Sequence, residues 1–171
     1  MLTAFFGSPL LAAHVGASLI GIMTGLVAVP TLASGRWLGG WHAAFLASTI
    51  ATSLSGFLFP VGGFTPALGV GAISLLALAA ALLSLRKRQA GRLPGAVYAA
   101  SATLVLYINL FVLVAQLFQK VPALRVLAPT QSEPPFLIAQ SALFAASVLL
   151  AWFASRVRPA HTSIGVAGDR S

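Results

Sequence analysis

Two histidines near the starts of apolar stretches are the side chains in this sequence best suited to chemistry. His14 opens the first stretch and His42 opens the second. A histidine can accept a proton near neutral pH or ligate a metal or haem iron. Glu133 and Asp169 are the only acidic residues, and there is no cysteine. The sequence therefore has neither a carboxylate pair for hydrolysis nor a thiolate nucleophile, which favours a protein that is not an enzyme.

The composition indicates that most of the chain is solvated by lipid. Apolar residues make up 58% of the sequence and charged residues 7%, whereas a soluble domain has about 25% charged residues. The net charge is +8, but the basic residues occur in short runs between apolar stretches, as is typical of membrane proteins. We therefore predict the lipid bilayer, and no nucleic acid, as the main partner.

Five stretches are long and apolar enough to cross the hydrocarbon core as helices of about 20 residues. Glycines, prolines and charged runs separate them. The predicted fold is all-α, an integral membrane bundle of about five transmembrane helices in one domain over residues 1–158. Residues 159–171 are small and polar and are predicted to be a disordered cytoplasmic tail. The predicted spans are about 9–33, 41–59, 66–85, 96–118 and 136–155.

The basic residues predict the orientation of this bundle. With five spans, one side of the membrane carries two basic residues and the other carries eight. The positive-inside rule then places the N-terminus outside and the C-terminus in the cytoplasm, in a bacterial inner (plasma) membrane. The two are Lys120 and Arg125; the eight are Arg36, Arg86, Lys87, Arg88, Arg92, Arg156, Arg158 and Arg170.

This orientation predicts that four polar side chains lie at one depth near the outer face. They are His14, Gln116, Gln140 and Glu133, and we call them the outer cluster. One interpretation is a pocket open to the outside, with His14 as a proton acceptor or as a ligand for a metal or haem. The other, which we favour, is that they form hydrogen bonds between helices. No metal site and no cofactor are predicted, and haem is kept as an alternative.

Other residues of the spans predict helix packing. Asn109 lies near the middle of the fourth span, so it needs a hydrogen-bond partner on a neighbouring helix. Small residues recur every four positions on the first span, which lets another backbone approach closely. They are Ala17, Gly21 and Gly25, and the expected partner surface on the second span is Ser48, Thr52, Ser55 and Gly56.

The second histidine is predicted to lie at the opposite face of the membrane. His42 begins the second span beside Trp41, so we expect both to lie among the lipid headgroups, with Trp37 and Trp152 at the same level. His14 and His42 are then about one membrane thickness apart. They cannot ligate the same haem iron.

The first hairpin combines His14, Gly25 eleven residues later, a loop with Arg36, and His42 at the start of the next span. With this pattern it resembles a family of small uncharacterised bacterial polytopic membrane proteins. The resemblance covers about residues 14–56. In that family a basic residue commonly follows the second histidine, whereas this chain has Ala43. The resemblance implies that the two histidines belong to a common pattern, and it implies no activity.

Three classes of function are consistent with these features. The first is an accessory or structural membrane subunit that binds another membrane protein or a second copy of itself. The second is a protein that binds haem, a quinone or another small molecule at the outer cluster. The third is a small oligomeric channel or carrier, which the absence of carboxylates from the spans makes less favourable.

Overall fold

The computed structural model describes residues 9–59, 63, 65–88 and 90–157, and all regular secondary structure within them is helical. The predicted tail, 159–171, lies outside the described residues. A 3₁₀ turn, Leu32–Ser34, follows the first α-helix. The α-helices are α1 (Pro9–Thr31), α2 (Gly39–Gly56), α3 (Pro66–Leu85), α4 (Arg92–Lys120), α5 (Pro122–Leu127) and α6 (Pro134–Arg156).

Four helices are long and apolar enough to cross a membrane: α1 with its 3₁₀ turn, α3, α4 and α6. They correspond to four of the five predicted spans, so a multi-pass helical membrane protein is supported. The helix of the remaining predicted span, α2, has 18 residues and is not among the four. Its composition gives the reason, because it carries five hydroxyl side chains in addition to His42. These are Ser48, Thr49, Thr52, Ser53 and Ser55.

α1 and α2 form an antiparallel hairpin. His14 contacts Ser55 near one end, and Gly25 contacts Phe45 further along. A Cβ atom on Gly25 would lie 2.8 Å from the Phe45 ring and 2.9 Å from a methyl group of Leu106. The missing side chain at Gly25 therefore allows α1, α2 and α4 to meet at one point.

α2 lies between three other helices. Its neighbour α3 runs antiparallel, since Ser53 contacts Ser74 and Phe57 contacts Gly71. α4 runs in the same direction as α2. The main hydrophobic core surrounds the half of α2 that begins at Gly39, and its fully buried members include Val29, Phe45, Tyr98 and Val105.

α6 packs against α4 and exposes most of its remaining surface. The two helices are antiparallel, because Gln140 contacts the backbone of Phe111 and Phe136 contacts Phe118. Exposed apolar side chains extend along the whole length of α6, as expected for a helix that faces lipid or another membrane protein. They are Leu137, Ile138, Phe144, Val148, Leu149, Trp152 and Phe153.

Candidate functional site

The end of the bundle that carries the start of α1 contains the predicted outer cluster, and there His14 contacts α2. A hydrogen bond of 2.8 Å joins His14 Nδ1 to Ser55 Oγ. The edge of the imidazole meets the ring of Phe59, with 5.3 Å between the centroids. Gly56 also faces the imidazole, since a Cβ atom there would lie 3.7 Å from Cε1 of His14. The contacts of His14 therefore lie within the first hairpin.

The other three residues of the outer cluster have different partners. Gln140 is buried and donates to the carbonyl oxygen of Phe111, while Gln116 is exposed on α4. Glu133 lies at the start of α6 and accepts hydrogen bonds from the loop before it. Among the described residues, no hydrogen bond or ring contact joins any two members of the outer cluster. The antiparallel pairing places all four at one end of the bundle, but His14, Gln140 and Glu133 each have separate partners.

Glu133 organises the turn before α6. Its carboxylate accepts from the backbone N–H and hydroxyl of Thr130 and from the backbone N–H of Ser132. Desolvation alone would raise the pKa of the Glu133 carboxyl, but the hydrogen bonds outweigh it and hold the pKa below its ordinary value. Glu133 is therefore ionised at neutral pH, and its hydrogen bonds to Thr130 and Ser132 hold the loop before α6.

Gln131 also shapes this loop, although it is not among the site residues predicted from the sequence. Its side chain donates to the carbonyl oxygen of Ala115 at 2.7 Å and accepts from Gln119. Its backbone has φ of 60°, a left-handed conformation that is uncommon for a residue with a Cβ. Gln131 therefore ties the loop to the end of α4.

Polar side chains form a series along α2, each paired with a neighbouring helix. Beyond the His14–Ser55 contact, Ser18 lies 3.5 Å from Thr52, and Ser53 lies 3.1 Å from Ser74. Deeper in the bundle, Asn109 donates to the hydroxyl of Thr49 at 3.1 Å. Asn109 thus has a partner on a neighbouring helix, as its depth requires. We call these four pairs the α2 polar series.

Apolar packing separates the α2 polar series from His42. Thr49 and His42 are seven residues apart on α2, or about 10 Å along the helix. Phe45 lies between them, fully buried against Gly25 and Leu106. The polar contacts along α2 are therefore not continuous from one end of the bundle to the other.

His42 is buried in the opposite end of the bundle, so its predicted position among the lipid headgroups is wrong. Its side chain is 1% exposed, whereas the neighbouring Trp41 is 47% exposed. His42 Nδ1 shares a hydrogen bond of 2.8 Å with the hydroxyl of Tyr98 on α4. Side chains of consecutive residues in an α-helix point about 100° apart. Trp41 therefore faces outward while His42 faces the core.

A stack of aromatic and cationic groups covers the His42 ring. The indole of Trp37 lies parallel to the imidazole, with 4.0 Å between the centroids and 7° between the planes. The guanidinium of Arg88 lies 3.4 Å from the centroid of the same indole. Partial burial lowers the pKa of the Arg88 guanidinium from its ordinary value. Together with Tyr98, these side chains form what we call the basic-end stack: His42, Trp37, Arg88 and Tyr98.

One polar atom in the basic-end stack has no partner in the described part of the chain. His42 Nε2 is buried and makes no hydrogen bond. Such an atom costs free energy in a packed interior unless a ligand or water satisfies it. Tyr98 and Arg88 come from α4 and from the loop before it, far from His42 along the chain, so no sequence pattern connects them with His42.

The described residues contain no group of three His, Cys, Asp or Glu side chains that could hold a metal ion. The side chains described at the two ends can form hydrogen bonds and cation–π contacts, and the arginines can attract anions. No protein-family model, curated protein or solved structure matches the chain.

Proposed function

We propose that this protein crosses a bacterial inner (plasma) membrane five times, with α2 as the remaining span. α2 lies antiparallel along α1, itself long and apolar enough to span, from the level of His14 to that of Gly25 and beyond. Its polar side chains face other helices, so its composition does not oppose insertion. Among the described residues, six basic side chains lie at the His42 end and two at the His14 end. This distribution supports a cytoplasmic location for the His42 end.

Within this topology, we propose that the protein is an accessory membrane subunit that acts by binding another membrane protein. The observation that carries the proposal is the α2 polar series. Its eight side chains pair with one another between helices instead of converging on a shared ligand position. These pairs hold α2 against α1, α3 and α4, and the exposed apolar length of α6 provides a surface for a partner.

Crosslinking in native membranes, followed by purification and mass spectrometry, tests this proposal. Photo-crosslinking residues at Phe144 and Leu149, both exposed on α6, should capture the same partner protein. A crosslinker at Ser53, which is buried between α2 and α3, is the matched internal control and should capture no second chain. The absence of a reproducible protein adduct from both α6 sites would overturn the accessory role.

Binding of a small molecule is a second candidate, because His42 Nε2 has no partner among the described residues. A haem or quinone at this end should appear in the absorption spectrum of the protein purified from native membranes, and His42→Phe should abolish the signal. His14→Phe is the control at the other end, where the imidazole already has a hydrogen bond. If the absorption spectrum changed in His14→Phe and not in His42→Phe, the binding site would lie at the outer cluster instead.

A further inference from the structure

A narrow cleft opens between helices at the basic end of the bundle. The 3₁₀ turn after α1, the first turns of α4 and the end of α6 surround it. Its enclosed part has a volume of about 30 Å³, which is room for one or two water-sized groups. The residues that line it include Gly35, Arg36, Arg88, Tyr98, Ala154 and Val157. We call this space the basic cleft.

Two arginines from different loops meet at the basic cleft. Gly35 adopts a left-handed conformation with φ of 71°, which ends the 3₁₀ turn and leads the chain to Arg36. Arg88 reaches the cleft from the loop after α3, and its stacking on Trp37 restricts the guanidinium. Four further basic residues lie at this end of the bundle: Arg86, Lys87, Arg92 and Arg156. The cleft is therefore strongly positive.

The part of the chain that the structure describes supplies no carboxylate to balance these cations. Its one acidic residue is Glu133, which lies before the first residue of α6, whereas Val157 follows the last. The 23 residues of α6 separate these two positions by about 35 Å. Each guanidinium offers donors in a planar fork that fits two oxygens of a phosphate. Within the described residues the cations of the cleft therefore have no carboxylate counter-ion, and a bound anion can take that place.

The surroundings of the cleft favour a lipid as the source of that anion. Exposed apolar side chains lie at the same end of the bundle, among them Leu93 (75% exposed) and Phe153 (58%). Trp152 is also exposed, and the Arg156 guanidinium lies 3.6 Å from the centroid of its ring, an arrangement suited to the headgroup region. Basic pockets between spans on the cytoplasmic side suit anionic headgroups.

We propose that the basic cleft binds the phosphate of an anionic phospholipid, with Arg36 and Arg88 contacting the phosphate oxygens. The enclosed volume admits phosphate oxygens and leaves the rest of the headgroup outside. The acyl chains then lie along the exposed apolar side chains of α4 and α6. The inference requires the bundle to lie in a membrane, and it is independent of the proposed partner protein.

Native mass spectrometry of the full chain in neutral detergent tests this site. Phosphatidylglycerol, phosphatidylcholine and inorganic phosphate are titrated separately. We expect one phosphatidylglycerol to bind per chain in a saturable manner, about tenfold more tightly than phosphatidylcholine, because the choline ammonium neutralises the charge of the phosphate and is repelled by the cations around the cleft. Displacement of the lipid by equimolar inorganic phosphate would overturn the choice of a lipid as the ligand.

Matched arginine variants distinguish lipid binding at the cleft from nonspecific attraction by the positive charge of this end. Arg36→Gln and Arg88→Gln should each weaken phosphatidylglycerol binding about tenfold. Arg86→Gln removes the same charge from the same loop, at an exposed residue that does not line the cleft, and should change binding less than twofold. Arg125→Gln at the other end should have no effect. Equal losses in Arg36→Gln and Arg86→Gln would overturn the site. Because Arg36 is exposed, its variant gives a clear answer even if Arg88→Gln unfolds the stack.

Discussion

His14 and His42 occupy similar positions in the sequence and different environments in the fold. Each begins an apolar stretch, and each has one ring nitrogen in a hydrogen bond of 2.8 Å. His14 is partly exposed, and its hydrogen bond, like its contact with Phe59, lies within the first hairpin. His42 is 1% exposed and is held by Trp37 from the loop before α2 and by Tyr98 on α4, with Arg88 stacked on the Trp37 indole. The comparison shows that the depth of a residue in a membrane does not determine its burial within the bundle.

The largest expected effect comes from removing the His42 ring, and removing the His14 ring gives the matched comparison. His42→Ala should lower the free energy of unfolding by about 2–4 kcal/mol, because it leaves a cavity between Trp37 and Tyr98 and an unpaired buried hydroxyl. His14→Ala should cost about 1 kcal/mol or less, the contribution of one partly exposed hydrogen bond. Reversible unfolding in mixed detergent micelles measures both variants.

His42→Phe separates packing from hydrogen bonding at the same position. It keeps a ring against the Trp37 indole and removes the unpartnered Nε2. We expect it to cost at least about 1 kcal/mol less than His42→Ala. If His14→Ala proved more damaging than His42→Ala, the contrast between the two ends would be wrong.

The second prediction compares packing along α1. Gly25→Ala should destabilise the protein by about 1–3 kcal/mol, because the added Cβ would lie 2.8 Å from the fully buried ring of Phe45. Gly16→Ala is the matched control nearer the His14 end, where a Cβ meets nothing within 4 Å. That variant should be neutral or stabilising by up to about 1 kcal/mol, since alanine favours the helix. Equal costs for the two variants would show that the packing of the hairpin is uniform.

Features that depend on one helix or on one hairpin could be predicted from the sequence. Four spans follow from apolar length, and the close approach at Gly25 follows from the four-residue spacing of small residues. The predicted partner surface on the second span includes Ser55, which does contact His14. When a short loop connects two antiparallel helices, few alignments of the two helices are possible, so their sequences predict which residues face each other.

Features that depend on how distant helices are arranged around the bundle could not be predicted in this way. The outer cluster was inferred from depth alone, and depth does not say which side of its helix Gln140 faces. The burial of His42 requires Tyr98, which lies 56 residues further along the chain. Arg88 stacks on Trp37 and so joins two loops. Sequence patterns predict that both loops lie at the same membrane face, but they do not predict that the loops touch.

The third prediction concerns Asn109, which joins α4 to α2 between the two ends. Asn109→Leu should cost about 1 kcal/mol, because it leaves the buried hydroxyl of Thr49 without this donor. The double variant Asn109→Leu with Thr49→Val removes both partners and should recover part of that loss. A coupling energy of zero in this double-mutant cycle would mean that the hydrogen bond does not contribute to stability.

The smallest expected effect is a pH dependence at the His14 end, through Glu133. Its pKa is lower in the folded protein than the ordinary value of 4.5, so ionised Glu133 stabilises the fold above that value. This stabilisation is lost as the pH falls through the lowered pKa. Glu133→Gln should therefore be less stable than the wild type at pH 7, and the difference should shrink as the pH falls below 4.5. Thermal unfolding of both proteins across this range measures it. If the difference in stability between Glu133→Gln and the wild type did not change with pH, the charge of the Glu133 carboxylate would not contribute to holding the loop.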